Sequence, residues 1–153
     1  MKRETSVCVA AGLLLFCCLS VGAQEAGLWR AASKTAQSVT GDVAISDTRI
    51  SIDFSTFDIV RARDLEPAEV SSVFDTDSGA SKKGHLYGLN IAASKKFMHK
   101  NTLCGADDTR WMVSYADGNS LQLAFFSGAK APVFTADAIS NSASLCGTYS
   151  YVR

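Results

Sequence analysis

Two histidines are the residues of this chain best suited to acid–base chemistry. His85 follows Gly84 at the start of an apolar run, and His99 lies in a lysine-rich segment. A histidine serves as a general base when a nucleophile lies beside it and a carboxylate orients its ring. Neither histidine is accompanied by a Gly-x-Ser-x-Gly elbow or a comparable motif. We therefore predict no catalytic residue and no enzymatic activity. A hydrolase whose site is assembled from scattered residues is the alternative.

Two aspartate pairs could begin a metal site. Asp75 and Asp77 resemble the start of a calcium loop, but the bidentate glutamate that completes such a loop is missing downstream. Asp107 and Asp108 lie in a predicted turn, where a solvated acidic pair is the simpler interpretation. A zinc site would need more ligands than two thiols and His99 offer. We predict no metal and no cofactor.

The five cysteines fall into two groups. Cys8, Cys17 and Cys18 lie near the N-terminus, whereas Cys104 and Cys146 lie in the last third of the chain. Two cysteines in an exported chain most simply form one disulfide. The bridge would close a loop of about 40 residues, worth ~4 kcal/mol in the chain-entropy estimate.

The N-terminal residues have the layout of a secretory signal peptide. Lys2 and Arg3 form a positive n-region, residues 7–21 are apolar, and small residues ending at Ala23 form a cleavage site. The apolar run is shorter than the ~20 residues that span a bilayer comfortably. We expect residues 1–23 to be removed, which leaves no membrane span and places the protein in the periplasm or the medium.

Residues 24–153 have the length of one ordinary domain. The whole chain holds 15 basic and 15 acidic residues, and no basic stripe is interleaved with aromatic residues. These features predict that the protein does not bind nucleic acid. A small ligand or another protein remains as the partner.

Alternating apolar residues indicate the strands that would position these groups. Ile50, Ile52 and Phe54 alternate with polar residues, which predicts a half-buried strand with all three on its inner face. Further on, Asp117-Gly118 between two alternating runs predicts a hairpin with a type I′ turn.

The last third of the chain is predicted to hold four short antiparallel strands with one cysteine at each end. The four runs are Trp111–Tyr115, Leu121–Phe126, Val133–Thr135 and Cys146–Val152.

One helix is predicted around Pro67, which suits the first helical position because its missing N–H costs nothing there. Glu69 lies near the positive end of that helix, and Val70, Val73 and Phe74 share one face. No connection is long enough for a crossover helix, so the strands should be antiparallel. Eight or nine strands and one short helix predict a single closed or nearly closed antiparallel barrel, with a β-sandwich as the alternative.

Four aromatic residues are candidates for lining a ligand cavity: Trp29, Phe125, Tyr149 and Tyr151. Tyr149 and Tyr151 share one face of the last strand, whereas Phe125 and Phe126 must point to opposite faces. One of these two phenylalanines therefore lies outside the main core.

Gly27-Leu28-Trp29 resembles the Gly-x-Trp signature of lipocalins and related calycin barrels. In those proteins the N-terminal tryptophan plugs the closed barrel end, so the resemblance implies that Trp29 is largely buried. Trp111, beside Arg110 at the start of a strand, should be only partly buried.

More of the chain resembles a group of uncharacterised secreted bacterial proteins. The matching segments are residues 38–46, 101–105 with Trp111, 125–128 and 145–153. This resemblance implies export and a common fold and implies no activity. We interpret the protein as an exported, non-enzymatic binding protein, for a small apolar ligand or for a protein partner as an inhibitor or envelope accessory factor.

Overall fold

A computed structural model describes residues 24–77 and 84–153 of the protein. Within them, eight antiparallel strands follow one another around a closed barrel, and β8 pairs back with β1. The predicted closed barrel is thereby confirmed. The strands are β1 (Gly27–Ala31), β2 (Val43–Ile45), β3 (Arg49–Ile52), β4 (Ser55–Leu65), β5 (Gly84–Ile91), β6 (Thr109–Asp117), β7 (Ser120–Phe126) and β8 (Leu145–Val152). The predicted signal peptide, residues 1–23, lies outside the described residues.

Three short α-helices and one 3-10 turn, Met98–Lys100, join the strands in the described part of the chain. The α-helices are α1 (Lys34–Val39), α2 (Pro67–Phe74) and α3 (Ala136–Ser140). The helix predicted from the sequence is α2, and Pro67 begins it. The carboxylate of Glu69 accepts a hydrogen bond from the backbone N–H of Glu66 at 2.9 Å, which satisfies one of the free donors at the helix start. Within the described ranges, no helix is long and apolar enough to span a membrane.

The side chains that point into the barrel form one continuous core. Trp29, Met112, Leu123, Phe125 and Tyr151 are among its largest members, and each is buried. The expected burial of Trp29 and the shared face of the two C-terminal tyrosines are confirmed. Packed side chains therefore fill the barrel interior.

One end of the barrel is closed by α1 and by the connection before β6. Ala36 of α1 and Leu103 of the connection are both buried in the interior core. In the same region the Sγ atoms of Cys104 and Cys146 are 2.01 Å apart, at the distance of a disulfide. The predicted pairing thus ties the connection to the first residues of β8.

A second core lies on the outer face of the sheet, under α2 and α3. Val70 of α2 packs there with Val113 and Phe126. The phenylalanine that leaves the main core is therefore Phe126, whose ring meets Phe134 edge-on at 5.9 Å. Trp111 packs against the margin of this outer core and is partly buried, as predicted.

Two strand predictions were wrong. β3 ends at Ile52, and Phe54 lies in a two-residue turn instead of on the inner face of a strand. Val133–Thr135 is not a strand, because the side chain of Thr135 accepts a hydrogen bond from Ala138 N and so caps α3.

The hairpin predicted at Asp117-Gly118 is confirmed, since β6 and β7 pair on either side of it, but its turn is not type I′. The β6–β7 turn has a positive φ at Gly118 alone, whereas a type I′ turn needs positive φ at both central residues. Asp53 and Phe54, with φ of 45° and 61°, meet that requirement between β3 and β4.

Candidate functional site

A polar cluster lies inside the barrel at the end opposite the disulfide. Glu25 precedes β1 and is 1% exposed. Its Oε1 accepts a hydrogen bond from Ser114 Oγ at 2.8 Å and another from His85 Nδ1. His85 of β5 and Ser114 of β6 are opposite each other in the strand register, so the sheet itself presents the two donors side by side. The backbone carbonyl of Glu25 accepts a hydrogen bond from Trp29 Nε1 at 2.7 Å.

The charges in this cluster are set by burial and by His85. Burial raises the pKa of Glu25. The hydrogen bond and charge of His85, with a smaller contribution from Ser114, lower it by more, so the pKa lies below its usual value. Burial, followed by the negative charge of Glu25, raises the pKa of Tyr87 to about 12. At neutral pH the cluster therefore holds an anionic carboxylate beside a neutral phenol.

A serine, a histidine and a carboxylate lie together here, but the serine is not hydrogen-bonded to the histidine, as nucleophilic catalysis needs. Ser114 Oγ donates to the carboxylate of Glu25, whereas an activated serine donates to an imidazole. Ser114 is also fully buried, so its hydroxyl does not face a substrate. The second ring nitrogen of His85 is 3.9 Å from Asp64 Oδ1, beyond hydrogen-bond distance. The arrangement can anchor a carboxylate.

The other predicted chemical candidates have local structural contacts. The ring of His99 lies 3.1 Å from the carbonyl of Ser38. Asp108 accepts hydrogen bonds from Ala93 N at 2.9 Å and from Arg110 at 2.8 Å. Among the described residues, no three His, Cys, Asp or Glu side chains are grouped so that they could hold a metal ion.

The structure brings the four predicted ligand-lining residues into the barrel interior. The rings of Phe125 and Tyr149 meet edge-on with centroids 5.4 Å apart. The hydroxyl of Tyr151 lies 2.7 Å from Thr40 Oγ1, and Trp29 packs in the same core. These side chains therefore contact one another and their neighbours.

An apolar groove of about 920 Å³ lies on the outside of the barrel, along β1 and the β3–β4 turn. We call it the β1 groove. The residues that define it are Leu28, Arg30, Asp42, Ala44, Phe54 and Met98. Leu28 is 79% exposed and Phe54 is fully exposed, so two large apolar side chains border the groove in solvent.

Phe54 is held in an unfavourable backbone conformation. An aromatic residue with φ of +61° lies in the left-handed region, at a cost of roughly 1–3 kcal/mol. The exposed ring recovers little of that cost by packing. Stability alone does not account for a phenylalanine at this position.

Sequence reasoning missed both features. Glu25 is a lone carboxylate at the predicted start of the domain, and no local pattern marks it. Phe54 fits the alternation of the preceding strand and so was assigned to the core. A comparison with protein-family models, curated proteins and solved structures found no match.

Proposed function

We propose that this protein is an exported, non-enzymatic binding protein that recognises a protein partner through the β1 groove and the ring of Phe54. The observation that carries the proposal is Phe54 itself, a fully exposed aromatic side chain held at positive φ on a hairpin tip. Residues in sparsely populated backbone conformations cluster at binding sites, where the strain presents a side chain in a required direction.

The packing of the barrel favours the outer surface over an internal ligand site. Trp29, Phe125 and Tyr151 are all buried in the interior core. An apolar ligand in the barrel would have to displace such side chains, whereas a partner at the β1 groove meets an open surface. Of the two binding roles considered, recognition of a protein is the better supported.

The chemistry of the groove suits a protein interface. Buried aromatic side chains commonly dominate interface energetics, and burying one large apolar side chain contributes roughly 1.5–3 kcal/mol. Phe54 and Leu28 provide two such side chains. Arg30, Asp42 and Asp53 surround them with both signs of charge, as in the polar rim of an interface. The partner should offer an apolar pocket that accepts the Phe54 ring.

Export is part of the proposal and has separate support. The N-terminal pattern is that of a secretory signal, and a disulfide between Cys104 and Cys146 persists in an oxidising compartment. The resemblance to secreted bacterial proteins agrees with this localisation.

Site-specific photo-crosslinking in the cell that produces the protein tests the proposal. A photoreactive phenylalanine analogue is placed at position 54, with Val60 as the matched control because Val60 is also exposed, lies on β4 and is outside the groove lining. We expect a discrete crosslinked species from position 54 that is absent from position 60. Added wild-type protein should suppress it, whereas Phe54→Ser protein should not.

Equal labelling from both positions, or suppression by Phe54→Ser as strong as by wild type, would contradict recognition through Phe54. Recovery of the full-length chain, residues 1–153, from the cytoplasm would contradict export.

A further inference from the structure

The carboxylate of Glu25 reaches its buried position from outside the strands. Glu25 belongs to the segment before β1, whereas its two donors belong to β5 and β6. His85 and Ser114 are paired in the sheet register, so their positions do not depend on the N-terminal segment. The barrel end thus contains a pair of hydrogen-bond donors that the sheet builds independently of the group they bind.

Glu25 uses this donor pair incompletely. Both hydrogen bonds go to Oε1, while Oε2 is buried and has no hydrogen-bond partner among the described residues. A buried carboxylate oxygen without a donor loses its hydration and gains nothing in exchange. A carboxylate that is not attached to the backbone could rotate so that each of its two oxygens accepts a hydrogen bond from one of the donors.

Among the described residues, three hydrogen bonds hold residues 24–26 in place besides those of the carboxylate. Arg153 donates to the carbonyls of Ala26 and Gln24 at 3.3 Å and 3.5 Å, near the upper limit for a hydrogen bond. Trp29 Nε1 donates to the carbonyl of Glu25. Withdrawal of the segment would break these three hydrogen bonds and leave the β1–β2 pairing, which begins at Gly27, intact.

We propose that His85 and Ser114 form a carboxylate-binding site that Glu25 occupies as a tethered internal ligand, and that a small free carboxylate takes this site when residues 24–26 withdraw. The other ionisable groups facing the site are Tyr87 of the same strand and Asp64 of β4. A carboxylate headgroup with a short apolar part is the ligand class that fits, because the space beyond the donors is occupied by the interior core. Neither of the two donors lines the β1 groove.

The tether explains why the site is closed in the intact protein. Glu25 competes intramolecularly for the two donors, so a free carboxylate at roughly 0.1 M should leave it in place in the wild-type protein. Removal of the internal carboxylate should make the site available. Chemical rescue of Glu25→Ala by free carboxylates is therefore the direct test.

The experiment compares thermal unfolding of Glu25→Ala and wild-type protein, residues 24–153, in roughly 0.1 M sodium acetate, sodium chloride or acetamide. We expect acetate to raise the unfolding midpoint of Glu25→Ala by a few degrees over chloride and to leave wild type nearly unchanged. The double variant Glu25→Ala, Ser114→Ala lacks one donor and should lose the rescue. If Glu25→Ala unfolds during purification, its refolding yield in acetate against acetamide replaces the midpoint.

A binding measurement separates a specific site from a general salt effect. The indole N–H of Trp29 donates to the backbone of residue 25 and therefore reports on this end of the barrel. Its NMR signal in Glu25→Ala should shift saturably with acetate and should not do so in the double variant. Stabilisation that acetamide or chloride reproduces, or that the double variant retains, would overturn the proposal.

Discussion

Phe54 and Glu25 are the two residues on which the proposed binding sites depend, for opposite reasons. Phe54 is an apolar side chain in solvent, and Glu25 is a carboxylate in the barrel interior. Each reverses the usual relation between polarity and burial. Such inversions need a local explanation: for Glu25 it is the pair of donors around the carboxylate, and for Phe54 we propose partner binding.

Phe54→Asn should make the protein more stable. Asparagine tolerates the left-handed conformation better than phenylalanine, and the exposed ring contributes little packing. We expect the free energy of unfolding to rise by about 0.5–1 kcal/mol in urea denaturation. Added in excess, the same variant should fail to suppress the crosslink from position 54.

Val60→Asn is the control for this measurement, because Val60 is exposed on a strand and has no positive φ to relieve. It should not be stabilised. A Phe54→Asn protein that is less stable than wild type by more than about 1 kcal/mol would mean that the ring packs in solution.

Glu25 predicts a specific pH dependence of stability. Its folded-state pKa lies below the usual value of 4.5, so the folded protein binds fewer protons there than the unfolded chain. The contribution of Glu25 is fully present above about pH 4.5 and is lost as the pH falls through the folded-state pKa. Urea denaturation across this range should show the difference between wild type and Glu25→Gln shrinking on acidification. A difference that grows as the pH falls would reverse the assigned direction.

At the scale of elements, β1 is short but carries the central side chain of the core. It pairs with β2 through three residues and with β8 through only two, so backbone pairing alone holds it weakly. Trp29 is fully buried, and the guanidinium of Arg153 lies 4.4 Å from its ring centroid. Side-chain burial therefore does more than strand pairing to keep β1 in the barrel.

Trp29→Ala should cost ~3–5 kcal/mol, because it leaves a large cavity in the interior core. Trp111→Ala should cost less, since Trp111 is only partly buried and its Nε1 donates one hydrogen bond, to Gly128 O at 3.1 Å. Urea denaturation of both variants measures the two costs. Iodide should quench Trp111 in the Trp29→Ala protein more strongly than it quenches Trp29 in the Trp111→Ala protein. Equal quenching and equal costs would show that β1 is not docked in solution.

At the scale of the whole molecule, the disulfide and the polar cluster close opposite ends of one barrel. Cys104 and Cys146 join the connection before β6 to β8 at one end, and Glu25 with His85 fills the other. The α2 and α3 helices cover part of the outer face and leave the β1 groove open. The β1 groove therefore lies on the side of the barrel that these two helices do not cover.

Replacing both cysteines by serine should lower the free energy of unfolding by ~2–4 kcal/mol in oxidising buffer, because the bridge restricts a long loop of the unfolded chain. The wild type in reductant should approach the same value. Thiol titration of native, non-reduced protein checks the premise, and two free thiols there would exclude the bridge.

Local sequence patterns predicted the parts of the fold in which neighbouring residues set the conformation. The alternation around Ile50 and Ile52 and the position of Pro67 predicted β3 and α2. The split between Phe125 and Phe126 followed from the two-residue period of a strand. Local rules sufficed because neighbouring residues determine which face a side chain occupies.

The ends of the elements and the candidate sites depend instead on contacts between residues far apart in the chain. Alternation continues through Phe54, but Ile52 pairs with Ser55, so β3 ends two residues before Phe54. α1 and α3 are too short to show a helical period. Glu25 meets its donors across 60 and 89 residues of sequence. Such a meeting follows from strand register and barrel closure, which are properties of the whole chain and leave no mark in any short stretch of it.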